Sequence, residues 1–237
     1  MGYNNPMINT HTDPALFVDD ALLLVEQNFY FLHAGEFYDA LNRREDLSRM
    51  VPAHIVRQFE DGVAYTFGGE LTRTVVSHDH EYGDETGGLF AWFVEFNAFR
   101  GIAMGMLEAL AHPSPFQDFV QGRLGEVRYE NFVDIVAFVR NVLSHNTHAE
   151  IRLNKKDYEG RRKRIARMGR ELQVVFNFNY HDDLPEIAAP SPRYGAQFAV
   201  DFGSLSESVP FLEILPMGKL MMLSELCFNL VVAYRNT

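Results

Sequence analysis

Apolar residues recur along this chain at two different spacings, and the change between them locates its elements. After a tail rich in Asn and Pro, Asp13-Pro14 reads as a helix start. ALFVDDALLLVEQNFYFL follows, with Leu16, Phe17, Leu23, Leu24 and Phe31 apolar and acids outward, predicting a helix over about 14–33. Residues 36–66 read as further helix in pieces, with Pro52 opening a turn or a new helix at PAHIVRQFEDGVAY. GGELTRTVVSHDHEYGDETGG mixes β-branched residues, glycines and acids, and reads as a loop with room for a short strand. Residues 89–111 are apolar nearly all round, as in a central helix packed on several sides, and His112-Pro113 ends it. PFQDFVQGRLGEV reads as a short helix or turn. A second core helix over about 129–146 follows from Phe132, Ile135, Val136, Val139 and Val142 or Leu143 at three- and four-residue spacing.

The period then falls to two. In ELQVVFNFNY, Val174, Phe176 and Phe178 share one face, and YGAQFAVDFGSL repeats the pattern at Phe198, Val200 and Phe202. Three prolines in DDLPEIAAPSPR exclude regular structure between them, predicting a hairpin with a long mobile loop. Residues 218–235 form an apolar closing helix in which Met221 and Met222, with Met217 just before it, fill gaps in the core. The expected fold is mainly α: a helical bundle with a small β-hairpin inserted before the last helix. Residues 1–12 read as a flexible tail and 13–237 as a single domain, with 152–206 as an insertion between two core helices.

Charge changes this picture at one place. The chain of 237 residues carries a net charge of −11, which disfavours a polyanionic partner for a uniform surface. Residues 152–170, however, hold nine Lys and Arg against two acids, a local +7 that leaves −18 for the remainder. Lys155, Lys156, Arg161, Arg162, Lys163 and Arg164 are therefore candidate contacts to RNA phosphates; a solvated helix face paired with acids is the alternative. The single cysteine, Cys227, excludes an internal disulfide and a Cys-based zinc site, and reads as a small buried hydrophobe. The first residues lack the basic start and apolar run of a signal peptide, and no uninterrupted apolar stretch approaches the roughly 18 to 20 residues of a membrane helix, so a cytoplasmic protein is expected.

The sequence contains no GxxxxGKS, GxGxxG, GxSxG or HExxH motif, which removes the usual support for nucleotide hydrolysis, dinucleotide redox chemistry, nucleophile-elbow hydrolysis and zincin chemistry. Glu108 and His112, four apart, lack the second copy a di-iron bundle needs. His78, Asp79, His80 and Glu81, with Asp84 and Glu85, are ligand types for a divalent metal, and a hydrolase built on His78 and His80 is a third reading; the glycine-rich surroundings favour a solvent loop instead.

One polar cluster interrupts an apolar helix: Arg140, Asn141, Ser144, His145 and Asn146. At about 100° per residue Asn141 and His145 share a face, whereas Arg140 lies about 140° from His145. Convergence of Arg140 and His145 needs fraying after Ser144, a curled Arg side chain, or a second copy of the helix. A helix-capping role, with pairing to an acid such as Asp134 or Glu150, is the structural alternative, and His148 is a weaker candidate. FVRNVLSHN resembles the R-x4-H signature of the HEPN superfamily in its Arg-Asn-x-x-x-His form, and the polar stretch, hairpin and last helix that follow resemble hairpin-bearing variants of that superfamily. The likeness covers about 129–237. It implies a homodimer that cleaves RNA without a metal or other cofactor, often within toxin or defence systems and sometimes with an antitoxin or regulatory partner. The products would be 2′,3′-cyclic phosphate and 5′-hydroxyl ends. By position, Arg140, Asn141 and His145 would be the active residues. The chemistry fits: imidazole titrates near neutrality, and a guanidinium offsets the charge of a phosphorane. A non-catalytic HEPN-like module binding RNA, a nucleotide or a protein is the alternative from a different class.

Overall fold

The computed structural model describes residues 14–60, 62, 64–86, 89–145 and 151–237. The N-terminal tail and residues 146–150, with Asn146, His148 and Glu150, lie outside the described residues. The chain is mainly α, with two small antiparallel hairpins. In order, the elements are α1 (Pro14–Arg44), a 3-10 turn (Leu47–Met50), β1 (His54–Gln58), β2 (Ala64–Gly68), α2 (Glu70–Thr86), α3 (Leu89–Ala111), α4 (Pro115–Leu124) and α5 (Glu126–His145). There follow α6 (Lys155–Arg167), β3 (Gln173–Asn179), α7 (Tyr180–Asp183), β4 (Gly195–Asp201), α8 (Phe211–Ile214) and α9 (Met217–Arg235). The chain divides into two compact units, one of residues 1–29 with 99–237 and the other Tyr30–Ala98.

In the larger unit α5 is the central element. Phe132, Ile135, Val136, Phe138, Val139 and Val142 are all buried, because apolar positions circle the helix and neighbours pack on several sides. Gly125, at φ 73°, supplies the left-handed residue that ends α4 and turns the chain into α5. Ser114 caps α4, its hydroxyl accepting from the Gln117 amide at 3.1 Å, with Pro115 in the first turn. Along α3, Gly105 lets the helix approach the α1 backbone, since a Cβ there would sit 2.7 Å from the Ala21 carbonyl oxygen. On α1 the buried residues of this unit are Val18, Ala21, Leu22, Val25 and Phe29, whereas the expected Leu23 and Leu24 are exposed, as is Phe31 in the smaller unit. The core face of α1 is thus rotated from the one its pattern suggested.

The hairpin β3/β4 pairs Val174 with Val200 and Phe176 with Phe198, and these side chains form its buried face. Phe176 meets Phe132 of α5 with ring centroids 5.3 Å apart. The connection expected to be mobile is tied down. Asn179 caps α7, Tyr180 and Tyr194 stack at 5.3 Å, Tyr194 donates to Glu225 at 2.7 Å, and Asn229 donates to the Tyr180 hydroxyl at 3.0 Å. Helix α9 is, among the described residues, the one helix long and apolar enough to cross a membrane by length and composition. Here Leu220, Leu226, Cys227 and Leu230 lie in the core, and burial pushes the Cys227 thiol pKa well up.

In the smaller unit the segment around Pro52 leads into the hairpin β1/β2 rather than into helix, and the expected loop of 68–88 is helix α2 over most of its length. Asn42, almost fully buried, fixes α2 to α1: its side chain donates to the Val76 carbonyl at 2.9 Å and accepts from the Leu47 amide at 3.1 Å. His80 Nδ1 lies 2.6 Å from the Asn42 carbonyl oxygen, and His78 Nδ1 lies 3.6 Å from Asp79. Among the described residues no group of three or more His, Cys, Asp or Glu is arranged to hold a metal ion, and the side chains of Asp84 and Glu85 lie outside them.

Candidate active site

Helix α5 stays helical through His145, so the fraying that would bring Arg140 and His145 together within one chain does not occur before it. His145 and Asn141 face the start of α6. The His145 Nδ1 lies 2.8 Å from Oδ1 of Asp157, which is fully buried. The other carboxylate oxygen, Oδ2, accepts from the Asn154 amide at 2.7 Å and completes the capping box that starts α6. Asn141 donates to the Asp157 carbonyl oxygen at 3.4 Å. A neutral imidazole that donates from Nδ1 to this carboxylate carries its lone pair on Nε2, and the side chain is one-third exposed. The result is a part-exposed imidazole held in place by a buried carboxylate.

Arg140 turns away from this pair. It opens onto a cleft of about 310 Å³ lined by parts of α3, α4, α5 and α6, in which Arg161 and Arg164 also stand. Asp134, buried within α5, does not pair with His145 or Arg140. Arg161 meets its Oδ1 at 3.1 Å and Arg170 its Oδ2 at 2.8 Å. Burial lowers the Arg161 pKa from its usual value; Asp134 opposes the shift, and the neighbouring Arg164 and Arg140 add to it.

The basic strip therefore splits by direction. Arg162 turns into the protein, donating to the carbonyl oxygens of Phe202 at 2.6 Å, Leu205 at 2.9 Å and Gly203 at 3.1 Å. Arg161 is largely buried on Asp134, and Lys163 pairs with Glu159 at 3.5 Å. Lys155 and Lys156 are exposed in the first turn of α6, and Arg164 is exposed at the cleft. Of the six predicted RNA contacts, two are thus engaged inside the fold, one is in a surface ion pair, and three remain available.

Sequence reasoning missed Asp157. Its signal was Asn154 followed three residues on by an acid, a capping box that marks the start of α6 and places a carboxylate beside the end of α5. It also missed the carboxyl pair Glu36 and Glu95 of the smaller unit, which sit on separate helices. No protein-family model, curated protein or solved structure matches this chain.

Proposed function

We propose that the protein is a metal-independent endoribonuclease of HEPN type, acting as a homodimer. The observation that carries this reading is the His145–Asp157 pair: an exposed imidazole with Nδ1 fixed by a buried carboxylate and Nε2 left for substrate. The likeness of residues 138–146 to the R-x4-H signature supports it. In the reaction, one imidazole takes the proton of the ribose 2′-hydroxyl as the 2′-oxygen attacks phosphorus. The bond from phosphorus to the 5′-oxygen breaks, and that oxygen takes the proton from the same imidazole, which is thereby restored. The guanidinium of Arg140 offsets the added charge on the phosphorane. Proton and electron-pair bookkeeping closes without water or metal. Lys155 and Lys156 extend the contact to flanking phosphates.

The test is incubation of mixed-sequence RNA with protein in excess EDTA, beside the variant His145→Gln, whose amide keeps a donor for Asp157 yet relays no proton. The parent is expected to leave cyclic phosphate ends, and the variant to cut at least about 100-fold more slowly at an unchanged Tm. Equal cleavage by both would sink the reading. His145→Ala is the weaker variant, since it deprives a buried carboxylate of a donor and costs about 1 to 3 kcal/mol of stability. A non-catalytic RNA-binding module is the second reading, favoured by one observation: the same pair also staples α5 to the start of α6. RNA binding without cleavage by the parent would support it.

A further inference from the structure

Two guanidinium groups in the cleft beside α5 form no ion pair among the described residues. Among the described residues, neither Arg140 nor Arg164 has an ion-pair or side-chain hydrogen-bond partner, although both line the same cleft of about 310 Å³ as Arg161. Arg161 is already neutralised by Asp134, and Glu130 at the cleft is taken up by Arg170 at 3.5 Å. Tyr129 adds a third donor: its hydroxyl accepts from Gln117 Nε2 at 3.0 Å, and its own proton has no acceptor among the described residues. The same cleft is also lined by the apolar side chains of Leu107, Leu110, Ala111 and Val133. One acid opposes an anion here, Glu108, which is exposed and forms no ion pair.

Like charges gathered without an ion-pair partner repel one another in the empty site, and a bound anion relieves that repulsion. Two planar guanidinium forks fit a tetrahedral dianion better than a single carboxylate, and a hydroxyl donor completes the cradle. A volume of this size lies at the lower end of small-molecule sites, roughly 300 to 1,000 Å³. We propose that this cleft binds a phosphomonoester carried on a small apolar or aromatic body, the phosphate held by Arg140, Arg164 and Tyr129 and the body lying against Leu107, Leu110, Ala111 and Val133. The proposal shares Arg140 with the ribonuclease reading but does not rest on it, because the cleft does not include His145.

Calorimetry at low salt with phenyl phosphate, inorganic phosphate and phenol tests both halves of the site. Phenyl phosphate is expected to bind with 1:1 stoichiometry, inorganic phosphate several-fold more weakly, and phenol more weakly still. Arg140→Ala and Arg164→Ala should each weaken phenyl phosphate about tenfold, in line with loss of a charge-assisted pair. Glu108→Gln, which removes the opposing charge at an exposed position, should tighten it. His145→Gln should leave it unchanged, so that failure of RNA cleavage and failure of this site are read separately. Absence of saturable binding, or binding indifferent to both arginine substitutions, would overturn the site; equal affinity for inorganic phosphate would overturn its apolar half.

Discussion

The smaller unit contains an acid whose environment holds its proton. Glu95 of α3 is half-buried and hydrogen-bonded to Glu36 of α1. Burial first, then that hydrogen bond and the charges of Glu36 and Asp39, push its pKa up to about 8, with Arg43 opposing. Arg43 is itself held by Asp39 at 2.7 Å, which limits what it can offset. Two carboxyl groups in hydrogen-bond contact share a proton, because both cannot ionise in a half-buried site. The sign of the stability effect follows by linkage. A carboxyl with a raised folded pKa binds its proton more tightly when folded, so its contribution is present below about 4.5 and is lost as pH rises toward 8. Melting followed from pH 5 to pH 8.5 should therefore show Tm falling across that window. Glu95→Gln, which keeps the hydrogen bond and cannot ionise, should flatten the fall and raise Tm at pH 8.5. A variant with the parent's pH dependence would show that the pair does not govern it.

Helix α6 carries two kinds of basic residue, and substitution separates them. Arg162→Ala removes three bonds to the carbonyl oxygens of 202–205, where β4 ends, and should lower stability by about 2 to 4 kcal/mol in urea unfolding. Lys155→Ala with Lys156→Ala should leave stability within about 0.5 kcal/mol and reduce the salt slope of RNA binding by about one per lost phosphate contact. An unchanged slope would remove these lysines from the RNA path. The hairpin β3/β4 was legible because Val174, Phe176 and Phe178 alternate with partly or fully exposed positions, so pattern and burial coincide. The hairpin β1/β2 was not, since Val56 and Tyr65 are exposed and the described side chains of these strands show no alternation of burial. Helix α2 hid behind β-branched residues; its place is fixed by Asn42 on the Val76 carbonyl and Arg73 on the Val51 carbonyl, contacts remote in sequence. Helix α1 runs past residue 33 because Gly35 is a packing residue, where any Cβ would collide with Val94, and not a break. The boundaries of the two units left no linker signal, as both fall within helices.

At the scale of the whole molecule the decisive fact is that Arg140 and His145 do not meet within one chain. The helix is continuous between them, His145 is held toward α6 by Asp157, and Arg140 opens onto the arginine cleft. A reaction that uses both must then draw them from two copies, and a two-fold dimer supplies two equivalent composite sites. In the proposed ribonuclease, the −18 carried outside residues 152–170 would repel RNA from the remaining surface and confine it to the basic side of α6. Complementation separates this arrangement from a site within one chain. Arg140→Ala and His145→Gln proteins, each inactive alone, form mixed dimers when unfolded and refolded together in equal amounts. Half of the dimers are mixed and each of these keeps one intact site, so about a quarter of the parent's EDTA-resistant cleavage should return. Within a single-chain site every copy carries one lesion, and the mixture would stay as inactive as its components, which would overturn the shared-site dimer while leaving the His145–Asp157 chemistry to be judged by His145→Gln alone.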